Sequence, residues 1–236
     1  MMGKLDITVS KVKSTKNLRI SNTRVFDREH IDDGKRPYLI IKRLSDIILS
    51  FSGIILLLPV LLITSLVVFF ECPRCNPIFS QDRVGKNGKC FRFYKFRSME
   101  PNAEEKLDTL LKYNEMDGHA FKIKEDPRIT KVGKFLRKTS IDELPQLFNV
   151  LKGDMSIVGP RPPLPREVEK YNDHEHQRLL VTPGITCYWQ TTSNRNDMSF
   201  DEWMELDLDY IEKRSIKTDI GIILKTFVAV FKMNGI

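Results

Sequence analysis

At 236 residues the chain is long enough for one domain of good size plus accessory segments. A formal net charge of +7 and a pI near 9.2 call for an anionic partner: nucleic acid, an acidic membrane surface or a phosphorylated substrate. Four cysteines are few for this length and no signal peptide precedes them. Reduced thiols on the cytosolic side are therefore expected, which excludes a disulfide framework.

Residues 1–36 are polar, with scattered Lys and Arg and no sustained apolar period, and read as a loosely ordered arm. From Ile47 to Phe70 the sequence IILSFSGIILLLPVLLITSLVVFF carries no charge. Roughly 24 helical residues reach roughly 36 Å, enough to cross a bilayer. A soluble core helix is rarely so long and so apolar on every side. Pro59 lies at the middle, where it removes the bond to the carbonyl of Ile55, so the segment should kink into two arms too short to cross alone. Both flanks are basic: Lys35, Arg36, Lys42 and Arg43 precede it, and Arg74, Arg83, Lys86, Lys89 and Arg92 follow. Basic flanks favour the cytoplasmic side, so both ends prefer the same face. A helix-break-helix over 37–71 that dips into one leaflet satisfies both observations, with Ser50, Ser52 and Thr64 near freed backbone groups. A kinked full span is the alternative.

Cys72-Pro73-Arg74-Cys75 is a CxxC, but a zinc site lacks a second close pair and a redox motif lacks a surrounding βαβ pattern. Pro77 to Met99 reads as a hairpin turning at Asn87-Gly88. In its second strand Lys95 and Arg97 fit phosphate or lipid headgroups, and equally the solvated face of an ordinary strand. Leu107, Leu110 and Leu111 recur at helical spacing within Ala103 to Tyr113, as do Val132, Phe135 and Leu136 within Thr130 to Lys138. Asp126-Pro127-Arg128 between them reads as a turn.

The densest chemistry lies in Thr139 to Pro162, TSIDELPQLFNVLKGDMSIVGPRP. Pro145 has no N–H and belongs in a first turn, which places a helix start at about Asp142 and its end at Gly153. Asp142 and Glu143 then sit at the positive end of a helix, a place that suits a nucleophilic or metal-binding carboxylate. The same residues also fit a plain helix cap, with Ser140 and Glu143 as an S-x-x-E box, although that box would put Pro145 where its N–H is needed. Met155 to Val158 reads as a short strand. The stiff GPRPPLP run that follows either holds Arg161 in place or is a rigid connector.

Arg166 to Leu180 reads as one helix, with His174 and His176 on different faces and so no metal pair. A turn at 181–184 leads into the strand ITCYWQ, and the loop TTSNRND offers Arg195 as an anion contact. Ser199 and Glu202 form a capping box that opens an amphipathic helix with Phe200, Trp203, Leu206, Tyr210 and Ile211. Asp219 to Met233 fits an interfacial membrane helix or a core helix equally well.

Taken together, KRLSDIIL, PIFSQDRVGKNGKCFRFYKFRSM, TSIDELPQLFNVLKGDMSIVGPRP and the PGIT…Q…NRN segment resemble the bacterial sugar transferase family, the monotopic phosphoglycosyl transferases. The resemblance covers residues 37–236. It implies an α+β fold: a small cytosolic catalytic domain over 72–236, with helices around a short sheet or hairpin. That domain is anchored by one proline-broken reentrant membrane helix and an amphipathic C-terminal helix. It implies transfer of a hexose-1-phosphate from a nucleotide sugar to undecaprenyl phosphate at the cytoplasmic face of the bacterial cell membrane, starting assembly of a capsule, exopolysaccharide or O-antigen-like glycan. Asp142 is implied as the nucleophile, Glu143 as the Mg²⁺ ligand, Pro59 as the membrane break, and Lys95, Arg97, Arg137, Arg161, Gln190 and Arg195 as substrate or phosphate contacts. Membrane lipid is then a partner, nucleic acid is not, and a homo-oligomer is compatible. The chain departs from the family in having Leu58-Pro59 for Ser-Pro, Cys187 for a glycine, and Ser193 for the loop glycine, changes that bear on the break and on sugar preference. The rival from another class is a non-enzymatic membrane-anchored basic protein that binds anionic lipid or nucleic acid. A glycosidase fits poorly, because adjacent carboxylates do not flank a bond from opposite sides.

Overall fold

A computed structural model describes residues 24–123, 125–192 and 198–231. Helix α1 (Arg36–Leu56) and helix α2 (Leu58–Glu71) meet at Leu57 with a bend of 62°. Pro59, in the first turn of α2, needs no hydrogen-bond partner there, so the break forms where the ring would otherwise clash with the preceding turn. No single helix among the described residues is long and apolar enough to cross a membrane; the bent pair together meets the length and composition of a broken span or a re-entrant loop. Its apolar side is bare, with Ile48, Leu62, Ile63 and Phe70 exposed, Phe70 at 75%.

The other side of α1 is polar and binds the rest of the protein. Arg43 donates to the carbonyls of Val150 (2.7 Å) and Leu151 (2.9 Å), and Asp46 accepts from the Ser156 hydroxyl (3.0 Å) and the Ile157 amide (2.9 Å). Ser50 donates to the carbonyl of Ile47 inside α1, not to the break as the sequence suggested.

Strands β1 (Ile78–Val84) and β2 (Cys90–Phe96) form the expected antiparallel hairpin, with Ile78 opposite Phe96 and Val84 opposite Cys90. Asn87 (φ 60°) and Gly88 (φ 79°) both take the left-handed backbone that their types tolerate. The expected helix over 103–113 shrinks to α3 (Leu107–Leu110) and a single 3-10 turn, with Leu107 buried and Leu111 exposed. Helix α4 (Lys131–Lys138) opens where the Thr130 hydroxyl accepts from the Gly133 amide at 2.9 Å.

After a 3-10 turn at Ile141–Glu143 come helix α5 (Gln146–Lys152), closed by Gly153 at φ 95°, and strand β3 (Ser156–Val158). Helices α6 (Pro165–Val168) and α7 (Asp173–His176) replace the single helix expected over 166–180. Asn172 is the reason. Its side chain accepts from the amides of His174 (2.9 Å) and Glu175 (3.0 Å), so a cap forms where the pattern alone reads as helix interior.

Strand β4 (Gly184–Thr186) runs parallel to β3 and is shorter than ITCYWQ. A Cβ at Gly184 would lie 2.1 Å from the amide nitrogen of Gly159, so the close approach requires glycine. Trp189 leaves the strand to stack on Trp203, ring centroids 4.2 Å apart. Trp203 belongs to helix α8 (Phe200–Lys213), which opens with the Ser199–Glu202 capping box as expected. Helix α9 (Ile216–Phe231) is apolar on both a buried and an exposed side. Ile222 is buried against Val158, Leu208 and Ile211, while Ile220, Leu224, Phe227 and Val228 are exposed.

Two expectations need correcting. Residues 24–35, read as part of a loose arm, are pinned to the domain. Arg24 pairs with Asp209 (3.2 Å), Asp32 with Arg214 (2.7 Å) and Lys86 (3.1 Å), and Gln177 donates to the Arg24 carbonyl (2.9 Å). Cys72 and Cys75, expected as free thiols, are joined as a disulfide. A turn closed by the Cys75 amide on the Cys72 carbonyl brings their Cα atoms to 5.4 Å, within disulfide reach. Cys90 and Cys187 are free.

Candidate active site

A cleft of about 470 Å³ opens between the hairpin, the 3-10 turn of 141–143 and the proline-rich loop after β3. Lys95, Arg97, Arg137, Asp142, Glu143, Arg161 and Gln190 all line it. Residues from β2 and just after it, from α4, from the 141–143 turn, from the proline loop and from the 3-10 turn Trp189–Thr191 thus converge on one cavity. Pro59 lies apart, at the helix break, and Arg195 lies outside the described residues.

Asp142 is not the helix cap that Pro145 suggested. It sits inside the 3-10 turn, and Pro145 itself occupies the cap position of α5, where a missing N–H costs nothing. Neither Ser140 nor Pro145 makes a side-chain cap bond, so the capping-box reading also fails. Ser140 takes φ 57°, uncommon for a residue with a side chain, and turns the chain sharply between α4 and the carboxylate pair. The carboxylate is 7% exposed.

Side-chain charge, more than a helix dipole, sets the electrostatics here. Burial pushes the Asp142 carboxyl up from its ordinary value, and Lys95, Arg137 and Arg161 act against that rise. Burial, aided by Arg137, brings the Lys95 amine down to about 7, with Asp142 as the opposing influence. Arg137 is likewise lowered by burial, and its Nε donates to the Ser98 hydroxyl at 3.0 Å. The ring of Phe79 lies beneath two of the cations, 5.6 Å from the Lys95 ammonium and 5.6 Å from the Arg97 guanidinium. Arg97 is also held by its Nε bond to the Asn76 carbonyl at 3.0 Å.

Sequence reasoning missed the groups that hold Arg161. Buried Arg83 donates to the Pro162 carbonyl and buried Arg178 to the Arg161 carbonyl, each at 3.0 Å. Arg178 is in turn fixed by the Tyr171 hydroxyl (2.9 Å) and by an ion pair with fully buried Asp207. Arg83 stood in the sequence only as one of several flanking basic residues, and Asp207 as a polar position of an amphipathic helix. Nothing local marks either. Cys187, where the family pattern has glycine, is buried and donates its thiol to Gln190 Oε1 at 3.4 Å. Burial holds that thiol well above its usual value, so it stays protonated and able to donate.

No group of three His, Cys, Asp or Glu suited to a metal occurs among the described residues. The donor set fits Mg²⁺ in the way that ion usually binds, by one or two carboxylates completed by substrate phosphates and water, with Glu143 beside Asp142 in the cleft.

The family model for bacterial sugar transferases matches residues 37–233. The galactosyl transferase CpsE of Streptococcus agalactiae serotype III is 50% identical over 206 residues, covering 85% of this chain and 44% of that protein. The undecaprenyl-phosphate galactose phosphotransferase of Salmonella typhimurium is 43% identical over 208 residues, covering 85% of this chain and 42% of that protein. The exopolysaccharide production protein ExoY of Sinorhizobium fredii is 38% identical over 199 residues, covering 82% of this chain and 87% of that protein. The chain thus spans less than half the length of the first two relatives and most of the third. By the extent of these matches, the chain belongs to the bacterial sugar transferase family.

Proposed function

We propose that the protein moves a hexose-1-phosphate from a nucleotide sugar, most simply a uridine diphosphate hexose, to undecaprenyl phosphate at the cytoplasmic face of a bacterial cell membrane. The observation that carries this reading is Asp142, a carboxylate 7% exposed among Lys95, Arg137 and Arg161. An Asp142 oxygen attacks the sugar-bearing phosphorus of the donor; the bond from that phosphorus to the bridging oxygen breaks, and nucleoside monophosphate leaves with the electron pair. An oxygen of the lipid phosphate then attacks the same phosphorus, and the Asp142 carboxylate is released. Lys95, Arg137 and Arg161 stabilise the charge that develops on the phosphoryl oxygens. Arg97 and Gln190 orient the donor. Glu143 would hold Mg²⁺, which when bound neutralises the donor diphosphate.

The names of the relatives support the substrates: one is named for galactose and undecaprenyl phosphate, one for galactosyl transfer, one for exopolysaccharide production. A protein that merely binds anions gains nothing from a buried carboxylate among its cations, because the carboxylate repels the ligand and is costly to desolvate. Purified protein in nanodiscs, given Mg²⁺, a panel of nucleotide sugars and a polyprenyl phosphate, should release nucleoside monophosphate and form a lipid-linked sugar diphosphate. Salt-sensitive lipid binding without turnover would favour the rival binding protein.

Lys95 gives this reading a pH signature. With its amine at about 7, the cation is present below that pH and must be recharged to meet a phosphate above it. Affinity for nucleoside monophosphate should therefore fall as pH rises past 7, by up to about tenfold per unit, with proton uptake on binding. Calorimetry at pH 8 in buffers of different ionisation heat should show that uptake in the wild type and less of it in Lys95→Met. Equal uptake in both would remove Lys95 from the phosphate site.

The bent helix pair reads as reentrant, entering and leaving the membrane on the cytoplasmic side. Its outer face is apolar, its flanks are basic, and Arg43 and Asp46 tie α1 to the catalytic domain. Pro59→Leu restores a backbone donor and should straighten the pair, moving part of α2 and its flank toward the far face and lowering turnover. Labelling of single cysteines introduced before Lys35 and after Cys75, in a background lacking the native cysteines, checks this. Opposite sidedness in the parent would show a span.

A further inference from the structure

Beside the main cleft lies a second pocket of about 170 Å³. Ser140, Glu143 and Gln190 line both cavities, so the two adjoin at the carboxylate pair. The remaining wall is largely apolar, formed by Leu144 and Leu147, Ile185 of β4, and Ala229 and Val230 of α9. Thr186 and Thr226 complete it without an unmet polar demand. Thr226 donates to the Ile222 carbonyl at 2.8 Å, so its oxygen accepts from Thr186 at 2.6 Å, and both hydroxyls are engaged.

Two elements that carry exposed apolar residues, α1 and α9, adjoin the pocket. A Cβ at Gly53 of α1 would lie 3.4 Å from Leu147 Cδ1, so one wall leans on the membrane-directed helix. The other wall belongs to α9, whose Leu224, Phe227 and Val228 are exposed.

We infer that this pocket receives the phosphate-proximal isoprene of the acceptor lipid, while the main cleft holds the nucleotide sugar. The inference rests on the transferase reading above. The volume is below the roughly 300 Å³ of a pocket for a whole drug-sized ligand, so it takes a fragment. A sugar or nucleobase would bury hydroxyls or amides against leucine, isoleucine and valine with no partner, whereas a branched alkene loses nothing there. With its first isoprene in this pocket, the lipid phosphate arrives at the Asp142–Glu143 turn from the side of α1 and α9, and the nucleotide leaves through the separate main cleft.

The test uses a polyprenyl phosphate carrying a diazirine in its first isoprene, irradiated with the full-length wild-type protein in nanodiscs. Label on the peptides holding Leu147, Ile185 or Ala229, displaced by unmodified polyprenyl phosphate, is the expected result. Label confined to α1 and α2, or to the main cleft, would overturn the assignment. Ala229→Phe, which fills the pocket, should raise KM for polyprenyl phosphate by about tenfold or more. The nucleoside monophosphate burst measured without acceptor reports whether the variant is folded and competent. An unchanged KM, or a burst lost along with transfer, also overturns it. A wild type that gives no burst at all defeats the transferase reading instead, and the photolabel still reads the pocket.

Discussion

Asp142→Asn is expected to lower turnover by about 10⁴-fold or more while the protein stays folded. The amide matches the carboxylate in size and cannot form the proposed phosphosugar intermediate. Stability should change little. Burial raises the Asp142 carboxyl, so ionising it opposes folding, and the neutral amide is spared that cost while losing the attraction of Lys95 and Arg137. Near wild-type activity in a well-folded Asp142→Asn would show that the carboxylate is not the nucleophile. Glu143→Gln keeps the attacking group, and is expected to slow the reaction and raise the Mg²⁺ requirement.

Asp207→Leu should cost about 3–5 kcal/mol, because it leaves the Arg178 guanidinium buried without its counter-ion. In a chain of this size that lowers Tm by about 6–20 °C. Arg178 is the larger part of the loss, since it also carries the Arg161 carbonyl and the Tyr171 hydroxyl. What stability remains should come with a raised KM for the nucleotide sugar, because the loop that presents Arg161 is loosened. Replacing both partners, Arg178→Met with Asp207→Leu, should recover much of the stability, since no lone charge is left inside, but not the KM. The pair also has a pH signature. Burial raises Asp207 from 3.8 to about 6 against the pull of Arg178, so the folded protein binds an extra proton between those values. The contribution of Asp207 to stability therefore falls as pH rises through that window and is constant above it, so Asp207→Asn should make the slope in that window shallower. Thermal melts from pH 4 to 7 read it directly.

Features set by neighbours in the chain were legible before the structure. Asn87-Gly88 marked the hairpin, Ser199 with Glu202 marked the start of α8, and Pro59 with the apolar run marked the bent pair of apolar helices. Local rules failed where two of them competed. Asn172 can cap or continue a helix, and the alternation of ITCYWQ reads as strand through to Gln190, yet Trp189 leaves it to stack on Trp203. Asp142 was singled out on a local argument that the structure does not bear out. A cap position was expected, whereas its setting comes from Lys95, Arg137 and Arg161, brought in from other elements. Arg83, Arg178 and Asp207 were not legible at all, because their role exists only through contacts across 79, 17 and 29 residues of chain.

The covalent step is the central claim, and mass spectrometry of protein incubated with nucleotide sugar and Mg²⁺ in the absence of lipid acceptor tests it most directly. The account predicts a stoichiometric burst of nucleoside monophosphate and a hexose-phosphate adduct on the peptide containing Asp142, discharged when polyprenyl phosphate is added. Release of nucleoside monophosphate only when both substrates are present, with no adduct on that peptide, would contradict it.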